Sequence, residues 1–268
     1  MSYFKQFPKI EYDFNRSGSI NKMVDIFRSV RPLQTFLDSF TGYSTYNVQN
    51  GERPDIVSHN IYGRSDFYWT FFVINEFLHE GYKAWPLSQE ALYDYINKEY
   101  SGKVIEVNPT MIGPVEARTQ IDSIAGKFKI GETITGQTTG ATGRLVKKNT
   151  DMHQLILKDV TGAFQGNMHE PNGVQEAVKG GTSSDLVNTF RVYNYADAPY
   201  YYYSEFDGAR KPVANALHIT GGVASSDLAF STYREKEYEK NDVRSKIRYI
   251  NINRIEEFMD EFERLINV

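Results

Sequence analysis

The stretch from Tyr46 to Tyr95, YNVQNGERPDIVSHNIYGRSDFYWTFFVINEFLHEGYKAWPLSQEALYDY, constrains this chain most. It carries its own start, turn and stop signals, and too many aromatic rings to be left in water. Tyr46-Asn47-Val48 reads as a short β run, closed by the turn dipeptide Asn50-Gly51. Arg53-Pro54-Asp55 opens a helix, with Pro54 suited to the first turn and Asp55 complementing the dipole. Ile56, Val57, Asn60 and Ile61 follow at helical spacing, and Gly63 after Tyr62 is a left-handed C-cap. A second helix is predicted from about Ser65, with Phe67, Phe71, Ile74 and Leu78 in one stripe. Trp69, Phe72 and Val73 widen that stripe until most of the helix needs cover. Ala84-Trp85-Pro86-Leu87 reads as a second short strand, and Ser88 caps a helix bearing Leu92, Tyr95 and Ile96. The expected order is strand, helix, helix, strand, then an appended helix.

On either side the pattern changes. Residues 1–44 form an N-terminal arm whose Phe4, Phe7, Ile10, Tyr12 and Phe14 are too few for a core of their own, so the arm must lie on another surface. Residues 45–100 are the aromatic module, and 101–126, with Pro109, Gly113 and Pro114, read as a linker. Residues 127–180 switch to short Thr-, Val-, Ile- and Leu-rich runs punctuated by glycine, the pattern of a small inserted β domain, barrel or sandwich. Within residues 181–230, residues 190–206 read as a β-hairpin or strand pair turning at Ala198-Pro199, flanked by loops. Residues 231–268 are a charged segment leading into a terminal helix. In that helix Ile255, Phe258, Met259, Phe262, Leu265 and Ile266 share one face, opposite Glu256, Glu257, Asp260, Glu261 and Glu263. The stripe can dock on its own domain or on another subunit. The fold class is therefore α+β.

Composition narrows the function. The net charge of −4, with both signs interspersed, gives no electrostatic footprint for nucleic acid. No apolar run is long enough to span a membrane. The absence of cysteine excludes disulfides and thiolate metal sites. His59, His79, His153, His169 and His218 show no zinc-site spacing. Neither GQTTGATG nor VKGGTSS ends as a phosphate loop does. No nucleophile elbow or paired catalytic carboxylates stand out, so no enzyme activity, cofactor or metal is expected. Nineteen tyrosines instead suit surfaces buried against a partner. The candidate interface residues are Phe4 and Phe7 in the arm, Tyr62 in the module, Tyr201 in the tyrosine run, and Phe258, Phe262 and Ile266 on the terminal stripe.

Gly51-Glu52-Arg53-Pro54, Tyr62-Gly63 and Phe72-Val73-Ile74-Asn75 together resemble a LysM-type strand-helix-helix-strand module. The wider set is Arg53-Pro54, Ile61-Tyr62-Gly63, Tyr68-Trp69, Asn75, Trp85 and Ser88-Gln89-Glu90-Ala91. With the upstream Asp25-Ile26-Phe27-Arg28 and the tail KIRYI, it is similar to the baseplate wedge proteins of T-even-like contractile-tailed bacteriophages, the gene-53 product family. The resemblance implies a virion structural protein of the tail baseplate, made in the host cytoplasm. It would join neighbouring wedges around the hub and contact other baseplate wedge proteins. It implies no enzymatic activity and little affinity for glycan; from charge and hydropathy no nucleic acid and no membrane partner is expected. The alternative reading is a LysM-type module binding the glycan of peptidoglycan.

Overall fold

The computed structural model describes residues 7–13, 16, 18, 20–25, 42–107, 111–112, 120–121, 124–166, 176–206, 209–213 and 229–266. The chain mixes helix and strand, an α+β architecture, and divides into two compact units, Met1–Leu92 with Glu239–Val268 and Tyr93–Tyr238. In chain order the first elements are β1 (Lys9–Tyr12), β2 (Asn21–Val24), β3 (Tyr43–Asn47), α1 (Pro54–Tyr62), α2 (Trp69–Ile74) and α3 (Gln89–Glu99). Then follow β4 (Lys103–Val107), β5 (Met111–Ile112), β6 (Gln120–Ile121), β7 (Thr133–Gly136), β8 (Thr142–Asn149) and β9 (Gln154–Thr161). The rest are β10 (Ala177–Gly180), β11 (Leu186–Asn194), β12 (Pro199–Phe206), β13 (Ala209–Val213), β14 (Ala229–Thr232), α4 (Tyr233–Ser245), β15 (Lys246–Ile250) and α5 (Ile255–Ile266).

In the first unit α1 starts and stops as its sequence predicts. Pro54 occupies the first turn, Asp55 follows it, and Gly63 at φ 69° ends the helix with its N–H on the His59 carbonyl. The long second helix expected from Ser65 is broken instead into a 3-10 turn at Ser65–Phe67, α2, and another 3-10 turn at Glu76–Leu78. The Thr70 hydroxyl donates to the Phe67 carbonyl at 2.8 Å, and Asn75 leaves helical geometry at φ −107° and ψ 102°. Both compete with the helical ladder.

The expected strand at Ala84–Leu87 is absent. A 3-10 turn, Gly81–Lys83, leads into this stretch, and Trp85 Nε1 donates to the Glu52 carbonyl at 2.7 Å. The strand that pairs with β3 is β15, antiparallel, with Ile247 opposite Tyr46 and Ile250 opposite Tyr43. The expected strand-helix-helix-strand order is therefore not formed within residues 45–100; the strand beside β3 comes from the far end of the chain. The terminal helix α5 packs on this same unit. Ile255, Phe258, Met259, Phe262 and Ile266 join Val57, Trp69, Phe71, Leu78, Trp85, Ile247 and Ile250 in one core. Trp69 lies 4.6 Å from the Phe262 ring and 6.5 Å from Phe258, centroid to centroid.

The second unit is built on a closed six-stranded barrel, in the order β10-β11-β4-β9-β8-β7. Its core holds Ile105, Val107, Ile134, Leu145, Leu155, Leu157 and Val178. Closure requires strands outside residues 127–180: β4 falls in the stretch read as a linker, and β11 in the stretch 181–230 read as hairpin and loops. The hairpin expected over residues 190–206 is not formed. A 3-10 turn at Tyr195–Asp197 separates β11, which stays in the barrel, from β12, the centre of a three-stranded sheet β13-β12-β14. Among the described residues no helix is long and apolar enough to cross a membrane.

Candidate interaction surfaces

Most of the candidate interface residues are placed inside. Phe7, Tyr62, Phe258, Phe262 and Ile266 meet in the core of the first unit, none more than 6% exposed. Tyr62 stands edge-on to Phe67 and Tyr249 and stacks on Phe71, and burial pushes its hydroxyl pKa up. Tyr201 is half-buried on β12, beside Tyr200 and Tyr203. Phe4 lies outside the described residues. The apolar stripes legible in the sequence are therefore spent on the chain's own packing.

One exposed set is the aromatic shelf on the turns after β3 and α2. Glu52 fixes the first turn: its carboxylate accepts the Tyr46 hydroxyl at 3.0 Å, the Gln49 N–H at 2.8 Å and the Asn60 amide at 3.3 Å. Trp85, bonded to the Glu52 carbonyl, ties the second turn to the first. On this rigid base Tyr82 is 60% exposed, with its ring 5.4 Å from Phe72 and 6.0 Å from Tyr68. Partial burial, then the neighbouring Tyr68, raises the Tyr82 hydroxyl pKa above its ordinary value. Phe77 and Leu87 are exposed as well, and the Arg53–Asp55 ion pair (3.1 Å) lies on the same turn as Glu52. Sequence reasoning passed over Tyr82. The available signal was a large aromatic directly after Gly81, on a turn between apolar runs.

A second exposed set is the β1–β2 hairpin. Ile10 and Met23 face each other across the strands, and Ile10, Tyr12, Ile20 and Met23 are all exposed. Phe7 and Val24 anchor the hairpin's base in the core, and the Asp25 N–H closes it on the Pro8 carbonyl at 2.9 Å. A two-stranded ribbon with so little cover is marginal in water by itself.

The described residues hold no group of three or more His, Asp or Glu placed to bind a metal. Two barrel carboxylates are consumed by structure. Glu132 accepts the N–H groups of Lys129, Thr182 and Ser183 and the Ser183 hydroxyl, all within 2.9 Å. Glu176 accepts the N–H groups of Thr138, Thr139 and Gln165 and the Thr139 hydroxyl.

The hairpin, the shelf and the module's helix caps all lie N-terminal to residue 112. Residues 2–112 match the family model described as Base plate wedge protein 53. The baseplate wedge protein gp53 of Enterobacteria phage T4 is 31% identical over 102 residues, covering 36% of this chain and 50% of that protein. The chain spans half the length of the curated relative it matches. The resemblance to the baseplate wedge family is shown over this segment. It includes β4, the first barrel strand, whereas β7 to β11 lie outside it.

Proposed function

We propose that the chain is a structural component of the tail baseplate of a contractile-tailed phage, located in the virion, where it joins neighbouring wedges and contacts other wedge proteins. The carrying observation is the family match over residues 2–112, the segment that presents the exposed hairpin and the aromatic shelf. The arrangement of β3, α1, α2 and β15 supports a LysM-like reading of the first unit, used here as a protein-binding module. Its exposed side chains suit that role: aromatic rings on a rigid turn contribute contact area at little entropic cost, and the apolar ribbon gains cover only from a partner. This reading assigns no reaction to the chain.

The test is co-expression with the other wedge proteins, comparing wild type with Tyr82→Ala and with Ile10→Asp/Met23→Asp. Wild-type protein should enter assembled baseplates, while both variants should fold but be incorporated at least tenfold less. Normal incorporation of both variants, or absence of the wild-type chain from purified tails, would overturn the proposal. The same exposed Tyr82 ring favours one alternative, LysM-type binding of peptidoglycan glycan. Salt-resistant retention on insoluble peptidoglycan, lost in Tyr82→Ala, would select it.

A further inference from the structure

The second unit contains a buried polar row that the family match does not explain. β4 alternates between two layers: Ile105 and Val107 enter the barrel core, while Val104 and Glu106 face the opposite side. Antiparallel register places Gln154 of β9 directly opposite Glu106 on one side, and Arg191 of β11 directly opposite on the other. Directly opposed side chains in such a ladder stand about 4.5–5.5 Å apart at Cβ. β12 lies over the row. Its Tyr202 hydroxyl donates to Glu106 Oε1 at 3.2 Å, and its Pro199 carbonyl accepts the Gln154 Nε2–H at 2.9 Å.

Glu106 and Gln154 are both 0% exposed, and each keeps one oxygen without a hydrogen-bond donor: Glu106 Oε2 and Gln154 Oε1. Directly opposed residues that each carry an unpaired acceptor leave the row short of a donor, and a bare carboxylate oxygen in this setting is costly. Arg191 acts on Glu106 through its charge but leaves Oε2 without a hydrogen bond; its guanidinium donates to the Tyr193 hydroxyl at 3.4 Å. A single proton satisfies both oxygens.

We propose that Glu106 is held as the neutral acid in the folded unit and that its proton bridges Glu106 Oε2 and Gln154 Oε1, making the row a pH-sensitive latch that fastens β12 to the barrel. The charged and titratable groups facing Glu106 are Arg191 and Tyr193 of β11 and Tyr202 of β12. Burial pushes the carboxyl up to about 7, outweighing the opposing pull of Arg191 and of the Tyr202 hydroxyl. The folded state therefore keeps a proton that the unfolded chain loses at the ordinary carboxylate pKa. The stabilisation is complete below that value and is lost as pH rises through about 7. Above it the carboxylate is ionised, and the row must rearrange toward Arg191 or admit water.

The full-length chain, carrying 13C at its glutamate side-chain carboxyls, tests this by nuclear magnetic resonance across pH 4 to 9. One carboxyl is expected to titrate near 7, and that signal should vanish in Glu106→Gln. If every glutamate of the folded chain titrates below pH about 6, the proposal is overturned. Gln154→Leu separates the bridge from simple burial. Removing the acceptor should lower the Glu106 midpoint by about one pH unit, since the protonated form loses a hydrogen bond. A midpoint unchanged or raised in that variant would refute the shared proton. If Glu106→Gln fails to fold, the wild-type and Gln154→Leu titrations still decide the question.

Discussion

Asn75 and Arg248 exchange two hydrogen bonds across 173 residues of sequence: the Arg248 N–H donates to Asn75 Oδ1 at 2.9 Å, and Asn75 Nδ2 donates to the Arg248 carbonyl at 2.9 Å. Among the described residues β15 pairs with β3 along one edge, and the Asn75 amide takes the place of a strand on the other. Asn75 Nδ2 also reaches the Phe71 carbonyl at 2.8 Å, which joins the end of α2 to the same point.

Asn75→Leu keeps the size of the side chain but strips the Arg248 backbone groups of their partner. Leaving a backbone group unsatisfied costs about 1–3 kcal/mol when it is buried, and these bonds are part-buried, so a total loss of about 1–3 kcal/mol is expected from denaturant unfolding. Asn75→Asp, which accepts but cannot donate, should fall between the two. An unchanged midpoint for Asn75→Leu would mean that β15 is held by other contacts.

Trp69→Ala should destabilise the first unit by about 3–5 kcal/mol, because the ring is 3% exposed and fills the space against α5. Phe262→Ala should cost a similar amount, and the double variant less than the sum, since the two rings are 4.6 Å apart. A double-mutant cycle in urea checks this. Strict additivity would argue against their direct packing.

Glu132 and Glu176 form a reciprocal pair. Antiparallel register between β7 and β10 brings each carboxylate to the turn that follows the other's strand. Gly136 and Gly180 keep those turns open: a Cβ on Gly136 would meet Glu176 Oε2 at 2.5 Å, and one on Gly180 would meet Glu132 Oε1 at 2.8 Å. Burial opposes ionisation of Glu132, but the N–H groups of Ser183, Lys129 and Thr182 and the Ser183 hydroxyl outweigh it and hold its pKa below the usual carboxylate value. Its contribution is therefore present above the unfolded pKa, about 4.3, and is lost as pH falls through the lower native value. Glu132→Gln should lower the melting temperature at neutral pH and flatten its decline in acid. An acid limb as steep as that of wild type would exclude Glu132 as its source.

How far the sequence spoke for the structure depended on the range of the interaction. The first helix was legible because Pro54, Asp55 and Gly63 act on their own backbone. So was the buried stripe of α5, since its period is local, though not what it would bury against. The strand pairing was not legible. Ala84–Leu87 looked like the partner of Tyr46 because it was near and apolar, whereas β15 wins by closing the sheet and receiving Asn75. The barrel strand β4 escaped for a related reason: it is short, and the Pro- and Gly-bearing stretch after it draws the whole span toward a linker reading. Of the interaction surface little was legible. Large apolar residues at helical spacing mark a core, and what remains exposed, such as Tyr82, sits on turns without periodicity.

The first unit draws its core from two segments separated by the whole of the second unit, and this gives a direct test. Residues 1–92 supply β3, α1 and α2, but Ile247, Ile250, Phe258, Phe262 and Ile266 come from residues 239–268. Without the second segment β3 has no partner strand, and the Trp69 ring loses both of its aromatic neighbours on α5. A fragment of residues 1–92 should therefore lack cooperative unfolding and near-ultraviolet circular dichroism. Adding a peptide of residues 239–268 should restore both, with a midpoint that rises with peptide concentration, as expected when folding is coupled to association. Cooperative unfolding of the 1–92 fragment alone would show that β15 and α5 merely decorate a self-sufficient core.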